Sequence, residues 1–183
     1  MADNPGPART PVLLRAGALA AIAGGALRIA NSFTTNVLPT ATLDLLYLIT
    51  DVLLLAGIAA IWWRRRRSLG PAAHAGVAIF VLGTLLIRVA AFGVLGAAGY
   101  QIGAGVALLG LAAYSVETLV RRAASLCPPA LWFVSLMCAI AGALGLAPAT
   151  LTGAAGVTFG VGFVMAGVEV FRDSRFGDST VSS

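Results

Sequence analysis

Lysine is absent from the 183 residues, and histidine occurs once, at position 74. Retinal or pyridoxal would have no side-chain amine on which to form a Schiff base. A single histidine excludes haem held by a histidine pair, and any histidine-rich metal site, within one chain. Charged residues of both signs make up only 10%, where soluble domains carry about a quarter. Cysteine occurs twice: Cys127 in a predicted loop before Pro128 and Pro129, and Cys138 about 16 Å further along if the intervening stretch is helical. A disulfide needs Cα atoms within roughly 7 Å, so both are expected to be free thiols. No Walker loop, dinucleotide fingerprint or metal-ligand cluster is present. Nor does a Ser–His or Cys–His pairing offer an activated nucleophile. No catalytic residue, cofactor or metal is expected.

What fills the space instead is apolar sequence, at 59% hydrophobic residues and a mean hydropathy of +0.94. Residues 43–67 set the pattern: a long apolar run with Asp51 inside it, closed by Trp62, Trp63 and Arg64 to Arg67. At 1.5 Å per residue such a run matches the roughly 30 Å hydrocarbon layer. Tryptophans suit the headgroup level, and the arginines mark the cytoplasmic side. The net charge of +5 would suggest nucleic acid in a soluble chain. Here ten of the twelve arginines fall in the N-terminal segment, two loops and the tail, all on one predicted side. That is the positive-inside distribution, and no nucleic-acid partner is expected.

In chain order, residues 1–11 read as a disordered cytoplasmic lead. Six predicted spans follow at 12–30, 43–63, 72–95, 101–120, 130–146 and 153–171, with a cytoplasmic tail over 172–183. The connecting stretches 31–42, 96–100 and 147–152 lack arginine and read as outer turns; 64–71 and 121–129 carry it and read as inner loops. Arg9 and Arg15 ahead of a small-residue stretch also fit a cleavable signal peptide. Against that, the segment takes part in an internal repeat. The expectation is an all-α membrane protein of six transmembrane helices with both termini in the cytoplasm of a bacterial inner membrane.

The repeat is carried by glycine. Gly96-Ala-Ala-Gly99 recurs as Gly153-Ala-Ala-Gly156, and Gly103, Gly105 and Gly110 recur as Gly160, Gly162 and Gly167 at the same offset. Gly57 aligns weakly with Gly110, and the Arg-Ile-Ala-Asn-Ser-Phe run from Arg28 resembles Arg-Val-Ala-Ala-Phe from Arg88. The chain reads as three helical hairpins of one type, parallel repeats entering from the same side. Three out-and-back hairpins, Gly-rich returning helices and prolines at outer turns (Pro39, Pro148) resemble the HdeD-type acid-resistance membrane proteins of bacteria. The resemblance covers the whole chain at the level of architecture. The intramembrane Arg28, Asp51 and Arg88 depart from that pattern.

These charges are the candidate site. Asp51 and Arg88 both lie about 12 Å below the outer surface, counted along oppositely directed helices. A lone charge there costs roughly 2.5 to 3.5 kcal/mol on insertion scales, so an Asp51–Arg88 ion pair is expected, with Arg28 sharing it. Asp44, Tyr47 and Asp51 follow i, i+3, i+7 and line one helix stripe, and Asn31, Ser32, Tyr100 and Gln101 add polar groups nearby. Two arginines favour an anion and two aspartates favour a cation or proton, so charge sign leaves the choice open. Asp44 and Tyr47 also read as interfacial anchors. Glu117 is expected to pair with Arg121 and Glu169 with Arg172, each one turn away. Gly99, Gly103, Gly156 and Gly160 form small-residue faces that serve internal packing or association between protomers.

Three functional readings result. The first is a small transporter or channel, as a homo-oligomer in the lipid bilayer, passing a small ion or solute through a polar site in the outer half of the membrane. The second is a non-transporting scaffold or stress-related accessory subunit that binds a partner through its glycine faces. The third is an intramembrane enzyme acting on lipid or peptide near Cys138.

Overall fold

The computed structural model of the chain describes residues 9–34, 39–91, 96–123 and 125–176. Among the described residues there are six helices and no strand: α1 (Arg9–Thr34), α2 (Thr40–Arg65), α3 (Pro71–Ala91), α4 (Gly96–Val120), α5 (Cys127–Ala143) and α6 (Pro148–Phe176). All but α5 are long and apolar enough to cross a membrane, which makes the chain a multi-pass helical membrane protein. The fifth helix keeps the 17 residues expected of the span 130–146 but lies three residues earlier in the chain. With 17 residues, α5 extends only about 26 Å, less than the roughly 30 Å layer. Leu144 and Gly145, the latter at φ +83°, end it before residue 146.

Several helices begin or end inside stretches expected to be turns. The 31–34 segment stays helical, with part of its polar side-chain capacity taken up there. Ser32 Oγ donates back to the Arg28 carbonyl at 3.1 Å, and Asn31 bonds across to α2. α4 is helical from Gly96, where a turn over 96–100 was expected, and α6 from Pro148, inside the expected turn 147–152. The first turn of a helix accepts proline because its amide would have no partner there, which also lets α5 start across Pro128 and Pro129. The expected disordered lead falls on residues 1–8 and the end of the tail on 177–183; both lie outside the described residues, as do 35–38 of the first outer turn, 92–95 at the expected end of the third span, and 124 of an inner loop.

α1 packs between α2 and α6, α3 lies along α4, and α5 sits between α4 and α6; α2 and α3 touch over a short stretch only. Close approach depends on glycine. A Cβ at Gly103 would stand 2.8 Å from the Ile87 amide nitrogen and 3.0 Å from the Gly83 carbonyl oxygen; one at Gly160 would stand 2.5 Å from the Gly25 oxygen and 2.7 Å from Ile29 Cγ1. Gly110 meets Gly76 and Phe80 in the same way that Gly167 meets Ala18 and Ile22. Gly103 with Gly160 and Gly110 with Gly167 thus do equivalent work, but on different neighbours in the chain, whereas Gly105 is open and its match Gly162 meets Trp132 of α5. Gly103 and Gly110 of α4 face its predecessor α3, and Gly160 and Gly167 of α6 face α1. Between the two ends of the bundle the core is aromatic, with Phe80, Tyr114, Trp132 and Phe163 buried and Phe159 against them, ring centroids 5.1 to 6.4 Å apart.

Candidate functional site

Two polar clusters flank this aromatic layer. In the first, Arg88 Nε lies 2.6 Å from Asp51 Oδ2, joining α3 to α2 across the seam where those helices touch least. Neither atom has a partner that meets hydrogen-bond geometry, so the contact is an ion pair made by proximity. The side chains are 17% and 16% exposed. Arg28, half-buried on α1, acts electrostatically on both Asp51 and Tyr47, and Tyr47 also interacts with Tyr100 and Arg88. Arg88 and Asp51 are thus in contact, and Arg28 and Tyr47 lie near enough to act on them electrostatically. Asp44 is exposed near the start of α2, about 10 Å along the helix from Asp51.

One residue of this cluster is not evident from the sequence. Thr50, buried beside Asp51, accepts a hydrogen bond from Asn31 Nδ2 at 3.1 Å, a polar tie between α1 and α2. Asn31 Oδ1 is buried without a hydrogen-bond partner. The signal was available: a hydroxyl next to an intramembrane acid, in a helix with few polar residues. Of the small-residue faces, Gly103, Gly156 and Gly160 are used inside the chain. A Cβ at Gly156 would meet the Ser32 hydroxyl and come within 3.9 Å of Arg28 Nε, which places Gly156 against the polar cluster. Gly99 is buried.

The second cluster gathers at the opposite end, where the arginines collect. Arg15 donates to the Ser174 carbonyl at 3.0 Å, so the start of α1 adjoins the end of α6. The expected Glu169–Arg172 pair is replaced by a longer-range one: Arg65 Nη2 reaches Glu169 Oε2 at 2.5 Å, and Ser125 Oγ donates to the other oxygen. Helical spacing alone favoured Arg172, but Arg65 lies only 10% exposed against α6, where it satisfies a half-buried acid that a solvent-facing side chain would leave unpaired. Glu117 does pair with Arg121. The four-arginine run is accordingly not one solvated block. Arg65 turns inward, Arg66 stacks 3.5 Å over the Trp63 ring, and Arg64 lies 3.9 Å from Asp173. His74 packs edge-on against Trp62 and bonds the Gly70 carbonyl at 2.7 Å. Cys127 and Cys138 are free, as their spacing required.

No known protein family, curated protein or solved structure matches the chain. The class defined by its helices is that of polytopic membrane proteins, and the two clusters carry the functional argument from here.

Proposed function

We propose that the chain is a small transporter or channel of a bacterial inner membrane, working as a homo-oligomer, and that its outer-half site takes a small anion. One observation carries this reading: a single carboxylate, Asp51, is paired with the Arg88 guanidinium and also lies under the electrostatic influence of Arg28, within apolar spans. Asp44 would have balanced the count, but it stands exposed about 10 Å away. The cluster carries excess positive charge at a depth where unpaired charge is costly, and an anion would neutralise it. The aromatic layer beneath separates this site from the arginine-rich end, as a carrier with two alternately opened sides requires.

In the same reading the arginine-rich end and both termini are cytoplasmic, and α5 crosses as the short fifth of six spans. The three hairpins descend from one unit, in a layout similar to that of the HdeD-type proteins. The shared packing role of Gly103 with Gly160 and of Gly110 with Gly167 supports common ancestry of α4 and α6. The scaffold reading has less support, because Gly103, Gly156 and Gly160 are occupied within the chain.

The test is anion efflux, chloride and formate in turn, from liposomes containing the purified protein. Flux above that of protein-free liposomes is expected, falling at least tenfold in Arg28→Gln, which leaves the Asp51–Arg88 pair in place. No flux of either anion, or flux undiminished in Arg28→Gln, would refute the anion reading.

A further inference from the structure

The arginine-rich end holds a cavity of about 520 Å³ between the ends of α2 and α6 and the segment after α4. Four arginines line it, Arg64, Arg65, Arg122 and Arg172, against Glu169 and Asp173. Their charges do not cancel. Arg65 and Glu169 neutralise each other on the floor, with Ser125 holding the second carboxylate oxygen. Arg64 and Asp173 stand 3.9 Å apart, both about half exposed. No ion pair holds Arg122 or Arg172 among the described residues, and both are exposed at the mouth.

Arg122 is the informative one. It adopts φ +50°, the left-handed region where side chains other than glycine are strained. The chain needs that conformation there: Arg122 N donates to the Leu119 carbonyl and Ala123 N to that of Thr118, closing α4 with a left-handed cap where glycine is the usual choice. A rule that merely requires positive charge on this side would be met by arginine at any neighbouring position. It explains neither strain at this residue nor the convergence of guanidiniums from three separate segments on one cavity. Strain retained at a cap, with the strained residue's charge lining a cavity, is the pattern of a binding site.

We infer that this cavity binds a phosphate-type oxyanion, with Arg122 and Arg172 as its free donors and Arg64 as a third that exchanges Asp173 for the ligand. Guanidiniums suit this chemistry because their planar donor pairs match two oxygens of a phosphate. The level also fits, since Trp62 and Trp63 directly precede Arg64 and such rings sit among headgroups. Two sources offer the same group: the headgroup phosphate of an anionic lipid of that leaflet and free inorganic phosphate.

The experiment measures the melting temperature of the full chain in nanodiscs. One arm compares phosphatidylcholine with an equimolar mixture of phosphatidylglycerol and phosphatidylcholine. The other adds inorganic phosphate to phosphatidylcholine discs, with sodium chloride at equal ionic strength as the control. A rise with phosphatidylglycerol alone identifies the lipid headgroup, and a rise with inorganic phosphate identifies the soluble ion; either supports the site. In both cases Arg122→Gly and Arg172→Gln should each weaken binding roughly tenfold, as loss of one charge-assisted donor implies. Arg122→Gly should fold at least as stably as the parent without ligand, because glycine relieves the strain, and Arg172→Gln serves as a second, solvent-exposed probe. No rise in either arm, or a rise of equal size in both variants, would overturn the inference.

Discussion

Replacing Asp51 by Asn should leave two guanidiniums facing no carboxylate. At 2.6 Å and an effective dielectric constant of 20, the Coulomb attraction to Arg88 is about 6 kcal/mol before desolvation is counted. Measured costs of removing one partner from a buried pair run to roughly 3 to 5 kcal/mol. The side chains keep 17% and 16% of their exposure, so the lower end applies, and Asp51→Asn should lose about 3 kcal/mol. Reversing the pair with Asp51→Arg and Arg88→Asp should recover only about half of the loss suffered by Asp51→Arg alone, because the guanidinium introduced at position 51 would then face Arg28. Reversible unfolding in mixed micelles, followed by tryptophan fluorescence, gives the four free energies of the cycle. A loss below about 0.5 kcal/mol in Asp51→Asn, or a reversed double variant no more stable than the worse single, would refute the pairing.

Other substitutions separate the structural claims. Glu169→Gln should cost about 1 to 2 kcal/mol in the same unfolding assay, and Arg172→Gln less than about 0.5, since Glu169 is held by Arg65 and not by its helical neighbour. Thr50→Val should cost about 1 kcal/mol by leaving the buried Asn31 amide without its acceptor. Gly160→Ala should destabilise by about 1 to 3 kcal/mol, because its Cβ would meet the Gly25 carbonyl oxygen at 2.5 Å. Gly105→Ala, with nothing within 4 Å of its Cβ, should be neutral or should stabilise by up to about 1 kcal/mol; equal effects at positions 105 and 160 would contradict the packing described.

The helices and the Asp51–Arg88 pair were legible in the sequence for the same reason. In a chain with so few charges, every arginine and aspartate has to be accounted for. Counting residues from the turns placed Asp51 and Arg88 at one depth, and they meet. What could not be read depends on neighbours distant in sequence. The partner of Glu169 is 104 residues away, and nothing in its local spacing distinguishes Arg65 from Arg172. The repeat gave the register of Gly160 and Gly167 but not the helix they face, since α1 and α5 are both apolar. Polar residues at 31–34 suggested a turn because the bond from Asn31 to Thr50 joins two helices and has no local signature. The strained backbone of Arg122 has no signature in sequence, where it is one more arginine of an inner loop.

The most direct test of an outer polar site is its accessibility to water, probed with Tyr47→Cys in a background of Cys127→Ser and Cys138→Ala. This leaves Arg28, Asp51 and Arg88 intact while placing a thiol one helical turn from Asp51. A membrane-impermeant charged thiol reagent added outside the cell should label this position, and chloride or formate should slow the labelling. A folded protein that resists the reagent under all conditions would mean a sealed cluster, and would contradict the account.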